Sequence, residues 1–314
     1  MNINNLIEPK VFAPFVREAI IKKSPFIKSG AVNNNEVLAR LASGGGRTVT
    51  MPYWARVSGD SEVLSTTTPL TPARLVSGAD TAAIHYRGKT WGASELYSNL
   101  AGDSGLEAAA DMVADFWVKD EQKLLVASLA GVFGSAGMEG HVFGRTNPAA
   151  LHAEMVLDAK QLLGDAFGQL HAIVMHSAVY TSLQKQDLIT FMRPSEGARM
   201  GEYLGYNVVV DDSIQFDAGT GVYSTYLLAE GVIGRGDGCP VDFTHVETSR
   251  DSLKGEDYLT CRKALILHPF GVAFTSETVA GISPTITELR NPLNWNRVYE
   301  PKNIGMIEIR HTIQ

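Results

Sequence analysis

An α+β fold is the class this sequence predicts, and three observations carry it. Residues 47–57 alternate strictly between apolar and polar side chains, an unbroken helical repeat runs from about 105 to 133, and short strand and helix signals interchange from 147 to 273. The 314 residues, 45% hydrophobic and 19% charged, suffice for one or two ordinary cores and for an ordered chain rather than a solvated tail.

Residues 1–46 show no sustained period. Pro9, Pro14, Pro25, the polar run Asn33–Asn35 and the Gly44-Gly45-Gly46 hinge describe an extended arm with a short helical piece near Phe15–Lys23. Such an arm has little core of its own and is expected to lie on a neighbour. From Arg47 onward, Val49, Met51, Tyr53, Ala55 and Val57 share one face of a strand, with Thr48, Thr50, Trp54 and Arg56 on the other. A second alternating stretch, Thr81–Tyr86, returns antiparallel to it. The polar connection 58–72 exceeds the ~12–15 residues a compact domain usually tolerates without a function, so 47–90 reads as a protruding hairpin.

The long helix has the clearest start. Ser104 and Glu107 form a capping box in which each side chain satisfies an otherwise unpaired backbone N–H. Leu106, Ala109, Ala110, Val113, Phe116, Trp117 and Leu124 make its apolar stripe. Glu107, Asp111, Asp115 and Lys119 make the wet one, with Asp115 and Lys119 as an ion pair and Gly131 and Gly134 as the stop. Asn147-Pro148 reads as the start of another helix, with Leu151, Met155, Ala159 and Leu162 buried until Gly164. Strands are expected at 170–175, 206–210, 223–229, 242–248, 258–273 and 304–309, and a helix at 178–187.

Several short motifs suggest chemistry, and each has a better structural explanation. His176-Ser177 with Asp187 downstream has the residue types of a hydrolase. The flanks Met175 and Val179 are too large for a nucleophile elbow, however, and sequence neighbours at a strand-to-helix junction do not face each other. Ser177 reads instead as a helix N-cap and Asp187 as a surface residue. The run GVIGRGDGCP, 231–240, lacks the lysine and hydroxyl residue of a phosphate-binding loop and reads as a tight turn. His245-Val246-Glu247 has no following cysteine pair to complete a zinc site, so it reads as a strand with polar side chains outward. Asp211-Asp212 reads as a capped turn rather than a cation site. Cys239 and Cys261 have neither zinc-site nor disulfide-scaffold spacing and read as reduced core thiols. No catalytic, cofactor-binding or metal residues are therefore assigned.

The net charge of −7 is uneven, because residues 1–40 carry six Lys or Arg against three Glu. An acidic body repels phosphate backbones and argues against a dedicated nucleic-acid reader. The longest uncharged window, Leu124–Met138, is shorter than the ~20 residues of a membrane helix, and the N-terminus has no signal-peptide pattern. The chain is expected to stay in the compartment where it is made.

The order of elements, together with VTMPYWARVSGDSEVLS, DMVADFWVKDEQKLLVASLAGVF, IVMHSAVYTSLQKQDLI, YNVVVDDSI and LILHPFGVAF, resembles the major capsid proteins of tailed bacteriophages, the Hong Kong 97-like fold. The resemblance implies an N-arm at 1–46, an extended loop at 47–90, a peripheral domain from 91–146 and 270–314 with its spine helix at about 105–133, and an axial domain at 147–269. It further implies self-assembly as pentamers and hexamers into an icosahedral virion capsid around double-stranded DNA, which is contacted weakly and non-specifically. Scaffolding, portal and cementing proteins would be further partners, with assembly in the host bacterial cytoplasm and no membrane involved. The chain opens directly on the arm, which implies a separate scaffold or none. Arg47–Gly88 contains no lysine, which argues against an isopeptide weld from the loop. An encapsulin-like nanocompartment shares the implied fold, and an α+β hydrolase is the reading from another class.

Overall fold

Two β-sheets with one long helix threaded between them account for most of the chain; the computed structural model describes residues 9–54, 60–64, 66–67, 69–72, 74, 77–94, 106–146, 148–191, 201–214 and 216–313. Along the chain run α1 (Pro9–Lys23), α2 (Pro25–Lys28), β1 (Val32–Asn34), α3 (Glu36–Ser43), β2 (Thr48–Trp54), β3 (Ser77–Ser94) and α4 (Leu106–Gly134). Next come β4 (Val142–Phe143), α5 (Ala153–Lys160), β5 (Leu170–Met175), α6 (Ser177–Lys185), β6 (Thr190–Phe191), β7 (Gly201–Tyr203), β8 (Tyr206–Val210) and β9 (Phe216–Asp217). The chain finishes with β10 (Val222–Ala229), β11 (Ile233–Gly238), β12 (Val246–Asp251), β13 (Glu256–Pro269), β14 (Val272–Phe274), α7 (Ile286–Arg290), β15 (Trp295–Arg297) and β16 (Met306–His311).

The first sheet has the order β1-β11-β13-β3-β2, with β12 also on β13; the second has the order β4-β16-β10-β5-β8-β7-β6, with β9 on β10. Period-2 alternation divides the second sheet between two cores. Ala172 and Val174 of β5, with Tyr226 and Leu228 of β10, face α4, whereas Ile173, Met175 and Leu227 face α5 and α6. At 29 residues, α4 is about 43 Å long at 1.5 Å per residue. Leu124–Leu129 of α4 are buried on every side, as expected of a helix enclosed by both sheets. One continuous core therefore joins Leu265 and Leu267 of the first sheet to Val174 and Tyr226 of the second.

The hairpin forms as expected, with Thr48 opposite Ala83 and Trp54 opposite Ser77. Beyond its base, β3 continues along β13 from Ile84↔Ile266 to Ser94↔Glu256, so its distal half belongs to the body. Strand membership also places β11, β12 and β13, residues 233–269, in the hairpin's sheet, and β4 and β16 in the sheet of β5 and β10.

Several local expectations need correction. The N-terminal segment does not wait for a neighbour. Phe12, Val16 and Ile20 of α1 pack against Val113, Ala114, Trp117 and Val118 of α4 and against Val246, Leu259 and Cys261. Asp115 pairs with Lys23 at 2.9 Å instead of with Lys119, because α1 lies alongside and offers the closer ammonium. Gly131 does not stop α4 but lies inside it, where its missing side chain admits α7 and Trp295. The helix expected at Asn147-Pro148 begins only at Ala153, since Ala149 and Leu151 exchange backbone hydrogen bonds with Thr312. Leu163 is the buried leucine there and Leu162 is exposed. The Ser104 cap lies outside the described residues.

Candidate functional site

A buried charge cluster ties the three parts of the first sheet together. In β11 the sequence Gly234-Arg235-Gly236-Asp237-Gly238 alternates, and the expected tight turn is confined to the residues around Gly231, whose φ is +63°. The glycines face α3, and a Cβ at Gly236 would lie 2.4 Å from the Leu38 backbone carbon, so only glycine lets helix and strand approach. The charged residues face the other way. Arg235 donates two hydrogen bonds to Glu121 of α4 at 2.8 and 2.9 Å, and Lys263 of β13 donates a third at 2.7 Å. Arg235 also donates to Asn34 Oδ1 at 3.0 Å. Burial on its own pushes the Glu121 carboxyl up, but Lys263 and Arg235 outweigh it and hold it down to about 2.

The hairpin is rooted by a second polar cluster. Asp80 of β3 contacts His268 Nε2 at 2.9 Å and accepts the Gly271 backbone N–H at 2.9 Å, with all of these atoms buried. Tyr53 donates to the Val298 carbonyl at 2.9 Å, and its ring lies 4.4 Å from that of Tyr299. Beyond this root, Trp54, Val63, Leu64 and Leu70 are exposed, Val63 at 92%. Large apolar side chains so far from any core mark a surface that needs covering.

Of the residues singled out for chemistry, the structure brings His176 and Ser177 to Asp212, with His176 Nε2 3.8 Å from Asp212 Oδ1. His176, not Ser177, caps α6: its Nδ1 accepts the Ala178 N–H at 3.1 Å. Ser177 is the first helical residue, and its N–H goes to Asp212 Oδ1 at 3.1 Å, which is why the expected cap moves by one position. We expect His176→Ala to cost about 1 kcal/mol in a thermal melt and Ser177→Ala no more than about 0.5 kcal/mol. Asp187 is exposed beyond the helix end. Asp211 accepts the Ser213 N–H and hydroxyl, forming the expected turn. His245 Nδ1 lies 3.1 Å from the Arg262 carbonyl, and Glu247 pairs with Arg262 at 3.0 Å. Burial pushes the Cys261 thiol up to about 12, which leaves it protonated and a poor nucleophile, whereas Cys239 is exposed rather than in the core. Among the described residues, no three His, Cys, Asp or Glu gather closely enough to hold a metal ion, and no helix is long and apolar enough to cross a membrane.

Sequence reasoning missed the Glu121 cluster, although a signal existed. Glu121 follows Trp117 by four residues and precedes Leu124 by three, which places a carboxylate on the buried stripe of α4. A charge in that position requires a buried cation opposite.

The family model described as Gp13-like, major capsid protein 13-like, matches residues 97–304. The major capsid protein of Bacillus phage SPP1 is 39% identical over 320 residues, spanning 99% of this chain and 98% of that protein. In fold, the chain is similar to the capsid of Ralstonia phage GP4, with a TM-score of 0.59 and 9% identity over 90% of this chain and 87% of that one. The head structure of Helicobacter pylori bacteriophage KHP40 gives 0.58 and 10% over 93% and 91%, and the cyanophage Pam1 capsid 0.56 and 11% over 93% of each chain. Neither the nanocompartment nor the hydrolase reading gains support from these matches. The chain has the Hong Kong 97-like fold and belongs to the Gp13-like family of tailed-phage major capsid proteins, a structural component of the virion shell.

Proposed function

We propose that the chain assembles as pentamers and hexamers into an icosahedral shell that encloses a double-stranded DNA genome, in the host bacterial cytoplasm. The observation that supports this most directly is a pinned but uncovered hairpin. Its root is fixed by Asp80, His268 and Tyr53, and the apolar residues Trp54, Val63 and Leu64 project from it with no core to enter. An adjoining copy supplies the missing cover, and obligate interfaces of this kind bury on the order of 2,000–5,000 Å². Within this reading, the second sheet with α5 and α6 forms the axial unit. The first sheet with α4 and α7 forms the peripheral unit, residues 47–83 the extended loop, and the N-terminal segment an arm that begins on its own subunit. Packaged DNA is contacted weakly, in keeping with the net charge of −7. Scaffolding, portal and cementing proteins complete the set of proposed partners.

Electron microscopy of the purified protein tests the reading. Closed shells are expected, and Trp54→Asp combined with Leu64→Asp is expected to leave only free subunits or capsomers whose circular dichroism matches the parent. A double variant that still closes shells would remove the hairpin from the argument, and a protein that stays monomeric at every concentration would sink the proposal.

A further inference from the structure

The N-terminal helix contacts its own subunit in a way that ordinary packing does not explain. Phe12, Val16 and Ile20 are buried, yet a cavity of about 430 Å³ remains between α1 and the body, lined by Ala13, Pro14 and Val16 on one side and Trp117, Val246 and Cys261 on the other. The groove is open to solvent on one side, so this part of the seam is not close-packed. Among the described side chains of α1, only Phe12, Val16 and Ile20 are buried, against the ordering of fifteen residues, one of which, Pro14, lacks the N–H of a helical hydrogen bond.

Ion pairs cross this loose seam from the middle and from the C-terminal end of α1. Arg17 Nε donates to Asp237 Oδ2 at 3.1 Å, and Asp237, only 8% exposed, is also 3.6 Å from Arg235. Lys23 reaches Asp111 at 3.0 Å and Asp115 at 2.9 Å across to α4, and hydrogen bonds to Asp115 and Asp111 raise its pKa. Lys22 pairs within α1 itself, with Glu18, and does not bridge the seam. On the far side of the seam, α2 begins at Ser24-Pro25. Ser24 is extended at φ −66° and ψ 119°, so α1 joins α2 through one non-helical residue, whose N–H donates back to the Ile20 carbonyl at 2.9 Å.

We infer that α1 is a salt-released clasp, whose Arg17–Asp237 and Lys23–Asp111/Asp115 pairs decide whether it stays shut over the groove formed by α4, β12 and β13. Raising the ionic strength from about 0.05 M to about 1 M shortens the screening length to about 3 Å, the scale of these contacts. The clasp then opens, exposing Trp117 and freeing fifteen residues for contacts elsewhere. The inference concerns the isolated subunit and stands independently of the shell reading.

Hydrogen exchange of the full chain in sodium chloride, followed by mass spectrometry, tests it. Exchange at residues 12–23 is expected to rise on the order of fivefold between low and high salt, while residues 124–133 of α4 stay unchanged. Arg17→Gln, on a half-exposed side chain whose loss leaves the fold intact, is expected to give the fast exchange already at low salt and to flatten the salt response. Asp237→Asn is expected to do the same. Salt-independent exchange in the parent, or an Arg17→Gln variant that behaves like it, overturns the clasp. So does an Asp237→Asn effect that spreads equally into α4, because Asp237 would then serve the buried cluster instead.

Discussion

Gly131→Ala is expected to destabilise the subunit by about 3 kcal/mol, even though alanine is intrinsically the better helix former by about 1 kcal/mol. A Cβ at this position would stand 2.1 Å from the Leu289 carbonyl oxygen and 2.5 Å from Trp295 Nε1. Those two atoms are hydrogen-bonded to each other at 2.7 Å. The backbone oxygen belongs to α7, whose capping box, with Thr285 and Glu288 each serving the other's backbone, fixes where that helix begins. The clash therefore has no flexible side chain to displace. Relief requires α7 to retreat, which separates the indole from its acceptor and leaves both buried without partners, at about 1–3 kcal/mol. Urea titration of the unassembled subunit, read by tryptophan fluorescence, measures the loss. Gly140→Ala, where the added carbon meets nothing within 4 Å, is the control and should change little.

Glu121→Gln is expected to cost about 3–5 kcal/mol, because it leaves Arg235 and Lys263 buried beside a neutral amide. Arg235 keeps Asp237 at 3.6 Å and Asn34 at 3.0 Å, whereas Lys263 retains a Trp117 ring at 5.3 Å and the charge of Asp120 beyond hydrogen-bond reach. Replacing Glu121, Arg235 and Lys263 together by leucine and methionine should recover part of the loss, since those three desolvated charges are then absent and Asp237 keeps Arg17 at 3.1 Å. The same carboxyl sets a pH dependence. Its folded value of about 2 lies below the ordinary 4.5, so the unfolded chain binds the proton first as pH falls. The contribution is complete above about pH 4.5 and disappears as pH approaches 2, amounting to about 3 kcal/mol in all. Urea midpoints measured down this range should fall more steeply for the parent than for Glu121→Gln; parallel curves would show that other carboxylates dominate.

Where the sequence could be read, it was read through periodicity. The alternation at Val49, Met51 and Tyr53 located the hairpin strand, and the apolar stripe through Val113, Trp117 and Leu124 located α4. The runs at 170–175 and 206–210 became strands with those same limits. What failed had a common cause, in that the local signal was overridden by a distant segment. The glycine run looked like a turn because nothing local reveals α3, nearly two hundred residues earlier, which needs those positions empty. Asn147-Pro148 has the chemistry of a helix start, but the strand end near Thr312 claims the backbone that follows. The N-terminal arm reads as having little core of its own, because Phe12, Val16 and Ile20 form a short apolar stripe whose partner, Val113–Val118 of α4, lies about a hundred residues away. Of the candidate site, the hairpin was legible and its Asp80–His268 root was not, since an aspartate and a histidine 188 positions apart give no joint signal.

The enclosure of Leu124–Leu129 by both sheets has a mechanical corollary. Rotating one sheet relative to the other would shear a close-packed helix on every side, and interiors packed to crystalline density resist such shear. The subunit is thus a stiff tile. Whatever differences of curvature a closed surface demands from chemically identical tiles have to be absorbed at their margins, in the hairpin and the N-terminal helix, and not across the middle.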